Sequence, residues 1–184
     1  MNVQRLSIPD VILITPHQYD DPRGCFFETY NQHRYREMGI DATFVQDNHS
    51  ISHSKGIVRG LHCQLAPYAQ GKLVRCTHGR IWDVAVDIRP GSATFGQWVT
   101  SELSAQNRAQ LWIPPGFLHG FCTLTDGAEV QYKCTDFYNR DAERVIRWNS
   151  QELGITWPVS EQDALLSDKD QQAPDFAAVK DWSV

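Results

Sequence analysis

Residues 74–89, VRCTHGRIWDVAVDIR, decide the fold class. A turn at residues 77–80 splits the stretch. After it Trp82, Val84, Val86 and Ile88 alternate with Asp83, Ala85 and Asp87, the period-2 spacing of a half-buried strand. Gly91, Gly96, Pro114, Pro115 and Gly116 punctuate the chain beyond it. Further short strands fit residues 26–30, 97–102, 111–113, 120–124 and 129–138. Short strands spaced about ten residues apart, with turn residues between them, predict an all-β sandwich or barrel. Helix signal is sparse: residues 31–38 fit two turns stopped by Gly39. The turn-rich tail after Gly154 is expected to pack as short helical turns against the barrel.

The 184 residues fit one domain, residues 1–184, with no linker or repeat inside it. An apolar share of 41% and a charged share of 21% are globular and exclude disorder. Acids outnumber bases 22 to 17, and no basic block appears, which speaks against a general nucleic-acid binder or a polybasic membrane binder. A short apolar run at residues 11–14 is too short for a membrane span or a signal segment. Five cysteines without a C-x-x-C pair argue against a disulfide framework and a zinc knuckle, so the cytoplasm is the expected compartment.

The densest polar stretch is Val58-Arg59-Gly60-Leu61-His62-Cys63-Gln64, followed by Gly71-Lys72-Leu73-Val74-Arg75. A strand histidine is most often a hydrogen-bonded core residue. Here Arg59, His62, Gln64 and Lys72 fall close together on segments that can pair, and each is costly to bury without a role. His62 and Gln64 share a face, whereas Arg59 should point the other way in a regular strand. Either Gly60 marks a bulge that re-aims Arg59, or Arg59 sits at the barrel mouth. On residues 129–138, Tyr132 shares parity with Val130, Cys134 and Tyr138 and can point inward, although tyrosine is also an ordinary strand residue. A histidine, a lysine and a tyrosine converging in a dry barrel suit proton removal beside a ketone. Histidine acts as base near neutral pH, lysine holds the enolate oxygen, and tyrosine returns a proton from the opposite face. No nicotinamide, flavin or metal motif accompanies them, so cofactor-free epimerisation fits better than redox chemistry.

Pro115-Gly116-x-x-His119 resembles half of the cupin signature, a jelly-roll barrel. Gln64 stands where the first cupin motif carries its second histidine, and no glutamate follows at the usual distance, so no metal centre is expected. A wider set of blocks is similar to the dTDP-4-dehydrorhamnose 3,5-epimerase family. These are Asp21-x-Arg23-Gly24-x-Phe26-x-Glu28, Gln46-Asp47-Asn48-x-Ser50, Arg59-Gly60-Leu61-His62-x-Gln64 and Gly71-Lys72-Leu73-Val74-Arg75. Trp112-Ile113-Pro114-x-Gly116-Phe117-x-His119, Tyr132-Lys133 and Ser167-x-Lys169-Asp170 continue the match in the same order.

The resemblance implies a cupin-like jelly roll, all-β with a few short helices, that works without a cofactor as a homodimer. Its substrate would be a nucleotide sugar, dTDP-4-dehydro-6-deoxy-D-glucose, inverted at C3 and C5 on the route to dTDP-L-rhamnose. The alternative is a C3-only or C5-only epimerase of a related dTDP-4-keto-sugar. By this resemblance His62 is the base paired with Asp170, Tyr132 the proton donor, and Lys72 the partner of the C4 oxygen. Arg59 and His119 match substrate contacts. Arg23, Glu28, Gln46, Asp47, Asn48, Glu143 and Lys169 match nucleotide-side or rim contacts, some from a partner subunit, and Tyr138 matches an aromatic near the sugar or base.

Overall fold

The computed structural model describes residues 1–182. Two antiparallel sheets pack face to face. The first runs β1 (Asn2–Arg5), β2 (Ile12–Thr15), β10 (Gln110–Ile113), β7 (Lys72–His78), β12 (Ala128–Cys134), β5 (Gln46–Ser52). The second runs β13 (Glu143–Val145), β6 (Val58–Gln64), β11 (Phe117–Thr123), β8 (Arg80–Asp87), β9 (Trp98–Ser104). No ladder joins the two sheets among the described residues, so the molecule is an open-edged sandwich and not a closed barrel. Between them lies a core built from Val74, Leu111 and Val130 on one side and Ile81, Ala85, Phe117 and Phe121 on the other. Burying each such large side chain contributes about 1.5–3 kcal/mol.

The strand that suggested the fold behaves differently from a half-buried one. Val84 and Val86 in β8, with Ile88 just beyond it, point away from the sandwich interior, and the C-terminal segment covers them with Leu153, Phe176 and Val179. The alternate set, Asp83, Ala85 and Asp87, points inward and is fully buried. Both faces are thus covered, and the two carboxylates are the inner ones. Residues 31–38 form α1 (Gln32–Glu37) as expected, because the Asn31 side chain caps the amides of His33 and Arg34.

Other expectations shift by a few residues or fail. Residues 26–30 are not one strand: β4 (Gly24–Phe27) pairs with β3 (Gln18–Asp21) in a hairpin that pairs with neither main sheet. The strand expected over residues 129–138 stops at Cys134. Tyr138 lies beyond it in an exposed loop, off the strand that parity assigned it to. His119, placed by its motif after a turn, lies inside β11. In the tail, Leu165 bridges to Ile57, and its backbone bonds Val58 and Gly56. A four-residue helix, α2 (Asp168–Gln171), follows, and then a 3-10 turn (Phe176–Asp181).

Candidate active site

Arg59 and His62 reach the same cavity because of a bulge. Along the β6–β11 ladder His119 faces His62, but Phe121 faces Arg59, so three steps on β6 answer two on β11. Gly60 takes the extra residue at φ +131°, and a Cβ there would sit 2.6 Å from the Cα of Gly120 and 2.9 Å from the carbonyl of His119. Only glycine fits both the dihedral and the approach.

The cavity between the sheets measures about 550 Å³, within the range of small-ligand sites. It brings together Arg59, His62, Lys72, His119, Tyr132, Glu143, Lys169 and Asp170 from the residues expected at the site. β6 and β11 supply His62 and His119 on one wall; β7 and β12 supply Lys72 and Tyr132 on the other.

Asp170 comes from α2. The bridge at Leu165 pins the preceding segment to the start of β6, and Ser167 Oγ accepts from the amide of Asp170, capping the helix. The Asp170 carboxylate, almost fully buried, then meets His62 Nε2 at 2.6 Å. Burial alone would raise the Asp170 pKa. The bond and charge of His62, with Ser167 and Lys169, outweigh burial and hold it below the usual carboxylate range. An ionised carboxylate only accepts, so Nε2 carries the proton, and in the neutral ring Nδ1 is the basic nitrogen.

Burial pushes the Tyr132 phenol above its ordinary pKa, with Arg59 opposing, so it stays a proton donor at neutral pH. Burial lowers the Lys72 ammonium, and nearby anions and thiols oppose that shift. Gln64, the residue at the cupin ligand position, is committed elsewhere: its amide donates to the carbonyls of Tyr68 and Phe137 and accepts from the amide of Asn139. It ties two loops together.

The remaining expected residues divide. Glu143 joins Lys169 at 2.9 Å and accepts from the Tyr138 hydroxyl, and Gln46 accepts from the Tyr138 amide, which makes a continuous rim at the mouth. Asn48 bonds Gln46 and Cys134 beside this rim. Asp47 belongs to a smaller outer cavity of about 290 Å³ and is paired there with Lys133 at 3.0 Å. Arg23 and Glu28 do not reach the cavity of their own chain: Arg23 bonds Asp21 within the hairpin, and Glu28 pairs with Arg34. The sequence reading missed Asp83, which holds His119 Nε2 with both oxygens at 3.0 Å, and Phe121, which lines the cavity. Asp83 had no local signal, because the alternation in β8 sets it on the face opposite the apolar residues.

A family model described as dTDP-4-dehydrorhamnose 3,5-epimerase matches residues 5–178. The chain is 56% identical over 179 residues to a dTDP-4-dehydrorhamnose 3,5-epimerase of Pseudomonas aeruginosa, covering 96% of this chain and 97% of the other. It is 54% identical over 177 residues to one of Shigella flexneri, covering 96% of each. The crystal structure of a dTDP-6-deoxy-D-glucose-3,5-epimerase from Legionella pneumophila in complex with dTDP-4-keto-L-rhamnose matches with a TM-score of 0.90 at 47% identity. That alignment covers 95% of this chain and 92% of the other.

Proposed function

The chain belongs to the dTDP-4-dehydrorhamnose 3,5-epimerase family, and from that premise we propose how its cavity carries out the reaction. The enzyme is a carbohydrate epimerase acting in rhamnose biosynthesis. C3 and C5 of dTDP-4-dehydro-6-deoxy-D-glucose both flank the C4 ketone, so loss of either proton gives an enolate on the same oxygen. His62 Nδ1 takes the proton, and the buried Asp170 carboxylate stabilises the imidazolium that forms. Lys72 holds the enolate oxygen by charge and hydrogen bond. Tyr132 delivers a proton from the far side, which inverts the carbon. The observation that carries this reading is the placement of His62 with Asp170 on one wall and Tyr132 on the facing wall of one cavity. Identity above one half to enzymes named for both positions favours double inversion over a C3-only or C5-only epimerase.

Arg59 and Lys169 at the mouth supply positive charge for the diphosphate, and Gln46, Asn48, Tyr138 and Glu143 form the nucleotide-side rim. His119 completes the sugar pocket. Asp47, held by Lys133, lines the smaller outer cavity together with Asn48, next to this rim. Arg23 and Glu28 reach a nucleotide only from a second copy of the chain, in a homodimer. Support comes from the β3–β4 hairpin, which exposes Tyr19 and Phe26 and pairs with neither sheet of its own chain, and from the exposed Phe137 and Tyr138 at the mouth. Light scattering at micromolar concentration should give twice the chain mass; a monomer contradicts the dimer. The whole chain works as one domain, because Asp170 returns across 108 positions to His62. Five free cysteines suit the reducing cytoplasm. No described helix is long and apolar enough to cross a membrane.

Two variants test the assignment of base and acid. His62→Ala should lose exchange and turnover together. Tyr132→Phe should still exchange substrate protons with solvent while yielding little inverted product. Native-rate inversion by Tyr132→Phe would refute its role as donor.

A further inference from the structure

Ser50 closes the block Gln46-Asp47-Asn48-x-Ser50 and lines the main cavity. Its hydroxyl oxygen is buried, and no protein group bonds to it. Glu28 Oε1, the other buried side-chain atom without a hydrogen bond, faces Arg34 at 3.2 Å. Among the described residues Ser50 Oγ is thus the one buried side-chain atom with neither a hydrogen bond nor an ion pair. Leaving a buried hydroxyl unbonded costs stability, so such a group points to a ligand. Its place on the strand says which part of the ligand. β5 is the edge of its sheet, and Ser50 is among its inward residues. Arg59 leans on the same strand: Nε donates to Ser52 Oγ and a terminal nitrogen to the Ile51 carbonyl, both at 3.3 Å. A guanidinium has five N–H donors, so three remain for a ligand. In the β5–β12 ladder Ser50 faces Val130 and Asn48 faces Tyr132, which puts Ser50 one inward step from Tyr132. Along β5, Ser50 therefore lies between Arg59 and the proton donor.

We propose that the Ser50 hydroxyl is a substrate-binding group that donates to the diphosphate, at the phosphoryl group next to the sugar. The proposal rests on the reading of the cavity as a dTDP-sugar site. Arg59 brings charge to the diphosphate, and Ser50 adds a directed donor on the side that faces the reacting ring. A hydroxyl turns freely to meet an anion, and a hydrogen bond to a charged group is the stronger kind. The ketone end of the sugar belongs to Lys72 and His62 on β7 and β6, away from this edge strand. A contact of this kind is made equally in the ground state and the transition state, so it lowers KM and leaves kcat alone. The hydroxyl makes no bond in the free protein, so deleting it takes nothing from the fold. A serine with a structural role would behave in the opposite way.

The test titrates full-length wild type and Ser50→Ala with dTDP by calorimetry, reads kcat and KM separately, and melts both proteins without ligand. The expected result is dTDP affinity weakened about tenfold and KM raised by a similar factor, with kcat within about twofold of wild type. The ligand-free variant should melt at or above the wild-type temperature. Affinity for dTDP within about twofold of wild type, or a loss confined to kcat, overturns the proposal. A ligand-free variant that melts well below wild type, or does not fold, overturns it too, because the hydroxyl then already bonds within the chain. Wild type that binds no dTDP overturns the reading of the cavity itself.

Discussion

Asp170→Asn isolates what a buried charge contributes to proton removal. The substitution keeps the shape of the side chain, its cap from Ser167 and an oxygen able to accept from His62, so the imidazole keeps its orientation. What disappears is the negative charge facing the imidazolium formed when His62 takes a proton. The contact is 2.6 Å between the nearest atoms, in a site where the carboxylate is almost fully enclosed. For charge centres roughly 4 Å apart at an effective dielectric of about 20, the attraction is about 4 kcal/mol, or roughly a thousandfold in rate. The expected kcat is therefore down by about three orders of magnitude, with KM little changed and thermal melting near wild type. The fall should remain smaller than that of His62→Ala, which deletes the base. The assay is turnover of dTDP-4-dehydro-6-deoxy-D-glucose followed by NMR, with melting curves alongside. A variant within about tenfold of wild type would refute the idea that the carboxylate stabilises the imidazolium.

Other sites make independent predictions. Asp87 is buried, and although burial alone would raise its pKa, bonds from Arg89, Ser92 and Thr94 bring it from 3.8 down to about 2. A depressed folded pKa stabilises above the unfolded value and is lost as pH falls through the folded one, so about 2 kcal/mol should vanish between roughly pH 5 and pH 2. Denaturation of Asp87→Asn should give a flatter acid limb than wild type; parallel curves would contradict the network. Gly60→Ala places a Cβ 2.6 Å from the Cα of Gly120 at a left-handed dihedral, and should cost about 2–4 kcal/mol of stability by melting. An unchanged melting temperature would contradict the tight crossing of β6 and β11. Phe26→Ala, on the exposed hairpin, should weaken dimerisation in light scattering and leave the melting temperature close to wild type, since Phe26 is 70% exposed. A dimer of unchanged affinity would remove the hairpin from the interface.

How much of this was legible in the sequence follows from the forces that act on particular residues. The all-β class was readable because period-2 alternation and turn residues are local signals. β1, β2, β3, β5 and β13 escaped notice. Asn2–Arg5 is exposed throughout, and Gln46–Ser52 is a polar run whose inward residues face the cavity, so neither carries the apolar stripe that marks a strand. β8 was readable as a strand but not as to its faces. The cover on Val84, Val86 and Ile88 comes from residues 153–179, and that distant layer leaves Asp83 and Asp87 facing inward. His62, Lys72 and Tyr132 could be proposed from chemistry alone. The parity conflict between Arg59 and His62 left a bulge at Gly60 and a place at the barrel mouth as alternatives, and the β6–β11 ladder shows the bulge. Asp170 has no local signal connecting it to a histidine 108 positions away, and only the resemblance identified it. Arg23 and Glu28 match the family pattern but lie outside their own chain's cavity, so only the proposed homodimer would bring them to a site.

Deuterium incorporation tests the central claim most directly. Wild type in D2O with dTDP-4-dehydro-6-deoxy-D-glucose should place label at both C3 and C5 of an inverted product, while His62→Ala places label at neither. Inverted product free of solvent deuterium, or label delivered equally by His62→Ala, would contradict proton removal by His62 across this cavity.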